Sequence, residues 1–100
     1  MAEQTLTVVA RLKAKTERRA EVEETLKGLI GPTRQEPGCI SYVLHQSNDD
    51  PCSFLFVEIW RSQADLDDHL QKPYLQALIA RAGELFSTPL DVTMWHEVDG

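Results

Sequence analysis

The chain has 100 residues, of which 42% are hydrophobic and 26% charged, and a formal net charge of −6. Such a length makes one domain, residues 1–100, with one modest core, and the composition is globular and not disordered. The acidic balance argues against nucleic-acid or anionic-membrane partners, no apolar run approaches the ~20 residues of a membrane helix, and MAEQTLTVV lacks a signal-peptide pattern, which makes the cytoplasm the expected location.

Leu6 to Leu12 alternates apolar residues as a strand does. Lys13 to Arg19 is charged and makes the turn, with Thr16 as the expected N-cap. Val22, Leu26, Leu29 and Ile30 recur at helical spacing opposite Glu21, Glu23, Glu24 and Lys27, which predicts an amphipathic helix. Gly31-Pro32 is a place for a kink or an end, and the helix is expected to run on through Gln35. Glu36-Pro37-Gly38 reads as a type II turn, with glycine at the position of positive φ. A second strand follows over Cys39 to Gln46, with Ile40, Tyr42 and Leu44 on one side and Cys39, Ser41, Val43 and His45 on the other. Ser47 to Pro51 is the hairpin loop. Asp49 and Asp50 read there as a solvated turn and not as a cation site.

Phe54 to Trp60, FLFVEIW, is the third strand. One side carries Phe54, Phe56, Glu58 and Trp60, and the other Leu55, Val57 and Ile59. A carboxylate in the apolar row at Glu58 costs several kcal/mol unless it is paired, protonated or wetted. Ser62 opens a helix with Asp65 in capping-box spacing. His69 shares the apolar stripe of Leu66 and Leu70, so His69 and Glu58 are expected to meet between sheet and helices. Pro73 suits the first position of a further helix, apolar through Leu85 and Phe86 and ended by Ser87-Thr88-Pro89. Leu90 to Val98 is the fourth strand.

The order β-α-β-β-α-β defines an α+β, ferredoxin-like sandwich. Right-handed crossovers put the helices on one sheet face, yet the strands are apolar on both. The uncovered face would be a large exposed patch, which predicts a homodimer packed sheet against sheet. Cys39 and Cys52 sit far apart along the hairpin ladder, so no disulfide is expected. Neither they nor His45, His69 and His96 have metal-ligand spacing, and no metal is expected.

Pro32-Thr33-Arg34 running into Glu36-Pro37-Gly38-Cys39, then Tyr42, Glu58-Ile59-Trp60, Asp67-Asp68-His69-Leu70, Pro73-Tyr74 and Pro89-Leu90-Asp91-Val92 follow one another along nearly the whole chain. Together they resemble the antibiotic biosynthesis monooxygenase family of small dimeric α/β-barrel proteins. The resemblance implies a monooxygenase without metal, haem or flavin, oxidising a quinol- or anthrone-like aromatic with O₂. That family also contains an isomerase of a phosphorylated signalling molecule and haem-degrading enzymes. The haem-degrading branch uses an asparagine, a tryptophan and a histidine where this chain has Ala10, His69 and Ile79, which argues against haem degradation.

Oxidation without a cofactor needs a base, a dry aromatic pocket and donors for the developing charge. His69 is the candidate base, because histidine titrates near neutral pH, and Glu58 is its candidate orienting carboxylate. Trp60, Tyr42, Tyr74 and Phe56 are candidates for the substrate pocket. Each has a plain structural alternative as a hydrogen-bonded core histidine, a paired buried acid or an ordinary core aromatic. Glu36 is assigned to its turn, and Arg34 and Arg81 to the surface. Three function classes follow: the monooxygenase, an isomerase or other acid–base enzyme on a small polar or phosphorylated metabolite, and a small-molecule binding protein. Aromatic lining favours the first, a lysine or arginine cluster the second, and a pocket smaller than one aromatic ring the third.

Overall fold

A computed structural model of the chain describes residues 5–99; Met1 to Gln4, on which part of the signal-peptide expectation rests, lie outside the described residues. The β-branched and aromatic stretches form strands β1 (Leu6–Lys13), β2 (Cys39–Gln46), β3 (Ser53–Trp60) and β4 (Asp91–Trp95). The amphipathic stretches form helices α1 (Arg19–Arg34), α2 (Gln63–Leu70), α3 (Pro73–Ala80) and the short α4 (Ala82–Leu85). The strands make one antiparallel sheet in the order β2-β3-β1-β4. This is the expected α+β, ferredoxin-like arrangement.

Register decides which side chains face the helices. Val8 lies opposite Glu58, Ala10 opposite Phe56 and Leu12 opposite Phe54, with Tyr42 opposite Glu58 on the other flank. These residues point toward Val22, Leu26 and Leu29 of α1 and Leu66, Leu75 and Leu78 of α2 and α3, and nearly all are buried. Leu55, Val57 and Ile59 alternate to the outer face and are only half-buried. No helix among the described residues is long and apolar enough to cross a membrane.

Several local expectations differ from the structure. Thr16 is not an N-cap: Thr16–Arg18 winds as a 3₁₀ turn closed by Arg18 N–H donating to Lys15 O, and no side chain caps this turn or α1. Pro32 does not stop α1, because the bond it forfeits is to a carbonyl of exposed Gly28 on the solvent side. The Glu36-Pro37-Gly38 turn closes with Cys39 N–H donating to Glu36 O at 3.0 Å, but no described glycine has positive φ, so the turn is not type II. Gly38 is needed for space, since a Cβ there would stand 2.2 Å from Asp65 Cγ.

Ile40 leaves the Tyr42 row because a register shift between Cys39 and Ser41 turns it outward, 56% exposed. The long final helix breaks at Arg81, whose backbone departs from helical angles while its guanidinium binds Glu21 and Glu84. Strand β4 ends at Trp95, opposite Thr7, and not at Val98. Cys39 lies opposite Trp60 at the end of the hairpin ladder remote from Cys52, roughly 25 Å away along β3 at the usual strand rise.

Candidate active site

The expected N-terminus of α2 forms as predicted. Ser62 Oγ accepts from Asp65 N–H and donates to Asp65 Oδ2, and Asp65 also takes a two-pronged bond from Arg61 at 2.9 Å. The helix so fixed buries Leu66 and, one turn later, His69. On the sheet beneath, alternation in β3 buries Phe56, Glu58 and Trp60. His69 is 2% exposed, Glu58 4% and Glu36 8%, so a histidine and two carboxyl groups lie inside the core region.

His69 and Glu58 do not pair with one another. His69 Nδ1 lies 2.8 Å from Glu36 Oε2, and the same oxygen accepts the Tyr74 hydroxyl at 2.5 Å. Glu58 Oε1 instead accepts the Trp60 indole N–H at 2.8 Å. The reason is placement: Glu36 sits in the α1–β2 turn beside α2 and the start of α3, while Glu58 lies on the sheet floor. Because Glu36 Oε2 already accepts from Tyr74, the histidine tautomer that completes the network carries its proton on Nδ1.

The histidine ring is held between aromatics. Its centroid is 4.5 Å from that of Trp60 and 5.7 Å, edge-on, from that of Tyr42, which stacks on Phe56 at 4.4 Å. Of the six residues singled out from sequence, His69, Glu58, Tyr42 and Phe56 line the cavity between sheet and helices, whereas Trp60, against His69 and bonded to Glu58, and Tyr74, bonded to Glu36, do not. Glu36, assigned from sequence to its turn alone, is the addition. Nothing local betrays it, because its partners are 33 and 38 residues away.

A cavity of about 90 Å³ separates sheet and helices. Val8, Tyr42, Phe56 and Glu58 supply its floor, and His69 with Leu66, Leu75 and Leu78 its roof. Ile79, Leu90 and Val92 stand at its edge, where Ile79 and Val92 are partly exposed. Thr33 Oγ1 is the one fully enclosed side-chain nitrogen or oxygen among the described residues with no hydrogen-bond partner. His69 and Glu58 both line the cavity, and neither His69 Nε2 nor Glu58 Oε2 has a hydrogen-bond partner among the described residues.

Burial pushes Glu58 up to about 7, against the pull of the Trp60 N–H and with help from the Glu36 charge. Burial, then the Glu58 charge, also raises the Tyr42 phenol; the nearby Thr33 hydroxyl opposes that rise without a hydrogen bond of proper geometry. The Tyr74 phenol rises through burial and through its bond to Glu36, which favours the O–H form.

A larger groove of about 280 Å³ lies between Arg11, Lys13, His45 and Pro89, but it is shallow and its polar lining is exposed or half-exposed. No group of three or more His, Cys, Asp or Glu among the described residues is placed to hold a metal ion. Arg34 donates two bonds to the Tyr42 carbonyl and Arg81 pairs with Glu21 and Glu84, so both cations are engaged outside the cavity.

A small ferredoxin-like domain with an acid–base constellation walled into an apolar cavity is the class defined by fold and site. The sequence pattern of the antibiotic biosynthesis monooxygenase family matches residues 5–81, and the chain belongs to that family. "Putative monooxygenase Rv0793" of Mycobacterium tuberculosis is 37% identical over 92 residues, 92% of this chain and 90% of that protein. The solved structure of Rv0793 superposes with a TM-score of 0.88 at 33% identity, covering 96% of this chain and 97% of that one. The crystal structure of PA3566 from Pseudomonas aeruginosa gives a TM-score of 0.90 at 27% identity over 99% of both chains. "Uncharacterized protein sll1783" of Synechocystis is 33% identical over 94% of this chain, which spans only 64% of that longer protein.

Proposed function

We propose that the chain is a cofactor-independent monooxygenase that oxidises a small, neutral quinol- or anthrone-like aromatic with O₂, that His69 is its base, and that it works as a homodimer packed sheet against sheet. The observation that carries this reading is His69 on the wall of an apolar cavity, with Nδ1 held by Glu36 behind it and Nε2 without a hydrogen-bond partner among the described residues. Glu36 orients the ring and stabilises the imidazolium formed when Nε2 takes a proton. Deprotonation of a phenol or a benzylic C–H gives an anion electron-rich enough to pass one electron to O₂. Recombination gives a peroxide anion that takes the proton back from the His69 imidazolium, and loss of water from the hydroperoxide leaves one oxygen atom as the product carbonyl and the other in the water. The dry walls of Phe56, Tyr42 and the leucines protect the anion from solvent protons.

Charge favours this reading over a phosphorylated substrate. Glu58 lines the cavity, Glu36 stands behind His69, and the one cation among the described lining residues is exposed Arg11. The volume supports a second reading, a binding protein for a small apolar molecule. About 90 Å³ is less than the roughly 150 Å³ cavity that houses benzene, so a larger ring system extends past Ile79 and Val92.

Oxygen uptake with a panel of quinols and anthrones tests the proposal. The wild type is expected to consume O₂ in step with product, and His69→Gln to lose about 10²–10⁴-fold in turnover while keeping its fold. Wild-type turnover in folded His69→Gln would remove His69 from the chemistry. Binding of panel members without oxygen uptake would leave the binding protein.

A further inference from the structure

The oxygenation scheme uses His69 and leaves Glu58 without a task, although Glu58 faces the same cavity. The two groups stand on opposite walls, Glu58 on the sheet floor through β3 and His69 on the helix roof through α2. Trp60 N–H holds Glu58 Oε1 at 2.8 Å and so fixes the carboxyl, while Oε2 has no hydrogen-bond partner among the described residues. Between the two groups the walls are apolar, so little competes with them for a ligand's polar atoms.

We infer that this cavity interconverts keto and enol forms of a neutral, ring-fused ketone without O₂, with Glu58 as the acid on the carbonyl oxygen and His69 as the base on the adjacent C–H. The inference rests on the base assigned to His69 above but needs no oxidant. His69 Nε2 takes the α-proton, and the C–H electron pair becomes the C=C bond. The carbonyl π pair moves to oxygen, which takes the Glu58 proton. The products are the enol, a Glu58 carboxylate and an imidazolium held by Glu36. Reversal returns a proton from Nε2 to carbon and the enol proton to Glu58, so the reaction is redox-neutral. A carboxyl pushed up to about 7 by burial is available in both protonation states near neutrality, as this cycle requires.

The test is anaerobic exchange of the α-hydrogens of 2-tetralone in D₂O, followed by proton NMR. The wild type is expected to exceed the buffer rate by at least about 100-fold, and Glu58→Gln and His69→Gln each to lose about 100-fold of that. Glu58→Gln keeps an oxygen for the Trp60 N–H; Glu58→Asp, which withdraws the acid by one methylene, is the second variant and is expected to be slowed at least about tenfold. Exchange at the buffer rate in the wild type, or undiminished exchange in either folded Glu58 variant, overturns the inference. Oxygen uptake without exchange overturns this inference and leaves the monooxygenase standing. Exchange without oxygen uptake does the reverse.

Discussion

Glu58 ties the site to the stability of the chain. Its carboxyl rises from an ordinary value near 4.5 to about 7 in the folded protein, chiefly through burial. The folded state therefore holds this proton more tightly than the unfolded chain does. The associated stability is fully present below about pH 4.5 and is lost as pH rises through about 7. Integrated over that window the loss is ~3 kcal/mol. Denaturant titrations at pH 5 and pH 8 are expected to show the wild type losing stability relative to Glu58→Gln, which cannot titrate there. An equal change in both proteins would place the titration elsewhere.

The α1–β2 turn passes close against the first turn of α2. Gly38 is buried there against Asp65, the residue that completes the Ser62 cap. Gly38→Ala is expected to push Asp65 aside and cost ~1–3 kcal/mol, measured as a shift in the unfolding midpoint. A midpoint within error of the wild type would show that α2 yields freely. The same turn marks how far sequence reading reaches. Local signals placed the Ser62 cap, Pro73 at the head of α3, and the apolar alternation of β3 almost to the residue, because each depends on neighbours within a turn or two. They also put His69, Trp60, Tyr42 and Phe56 in one interior, since periodicity names the buried side, while Tyr74 is only half-buried. They failed where a contact crosses the chain. Gly38 reads as a left-handed turn residue and is there for close approach, and Glu36 reads as part of its turn when its partners lie on α2 and α3.

At the scale of the whole molecule, the outer face of the sheet carries an apolar row. Val43, Val57 and Val9 lie side by side across β2, β3 and β1, flanked by Leu55 and Ile59. Val57 is the centre of that row, and Val57→Lys would set two like charges near each other in a sheet-to-sheet dimer. Light scattering at micromolar concentration is expected to give twice the mass of one chain for the wild type and a single chain for Val57→Lys. One-chain mass for the wild type would sink the dimer.

The opposite, helix-facing side has an edge with a different consequence. Among the described residues, strand β4 is hydrogen-bonded to the sheet through β1 alone, while Val92 on it stands at the cavity edge. A strand anchored on one side opens more cheaply than a central one. A ring lodged against Val92 adds contacts on the helix-facing side of this edge strand. Occupancy and strand anchoring then become one coupled equilibrium, and the amides of Val92 to Met94 are its gauge. With a tightly binding anthrone present, their deuterium uptake is expected to slow in proportion to occupancy, while amides in the central strand β3 keep their rate. The rim that admits the ligand would then be the part of the protein the ligand locks.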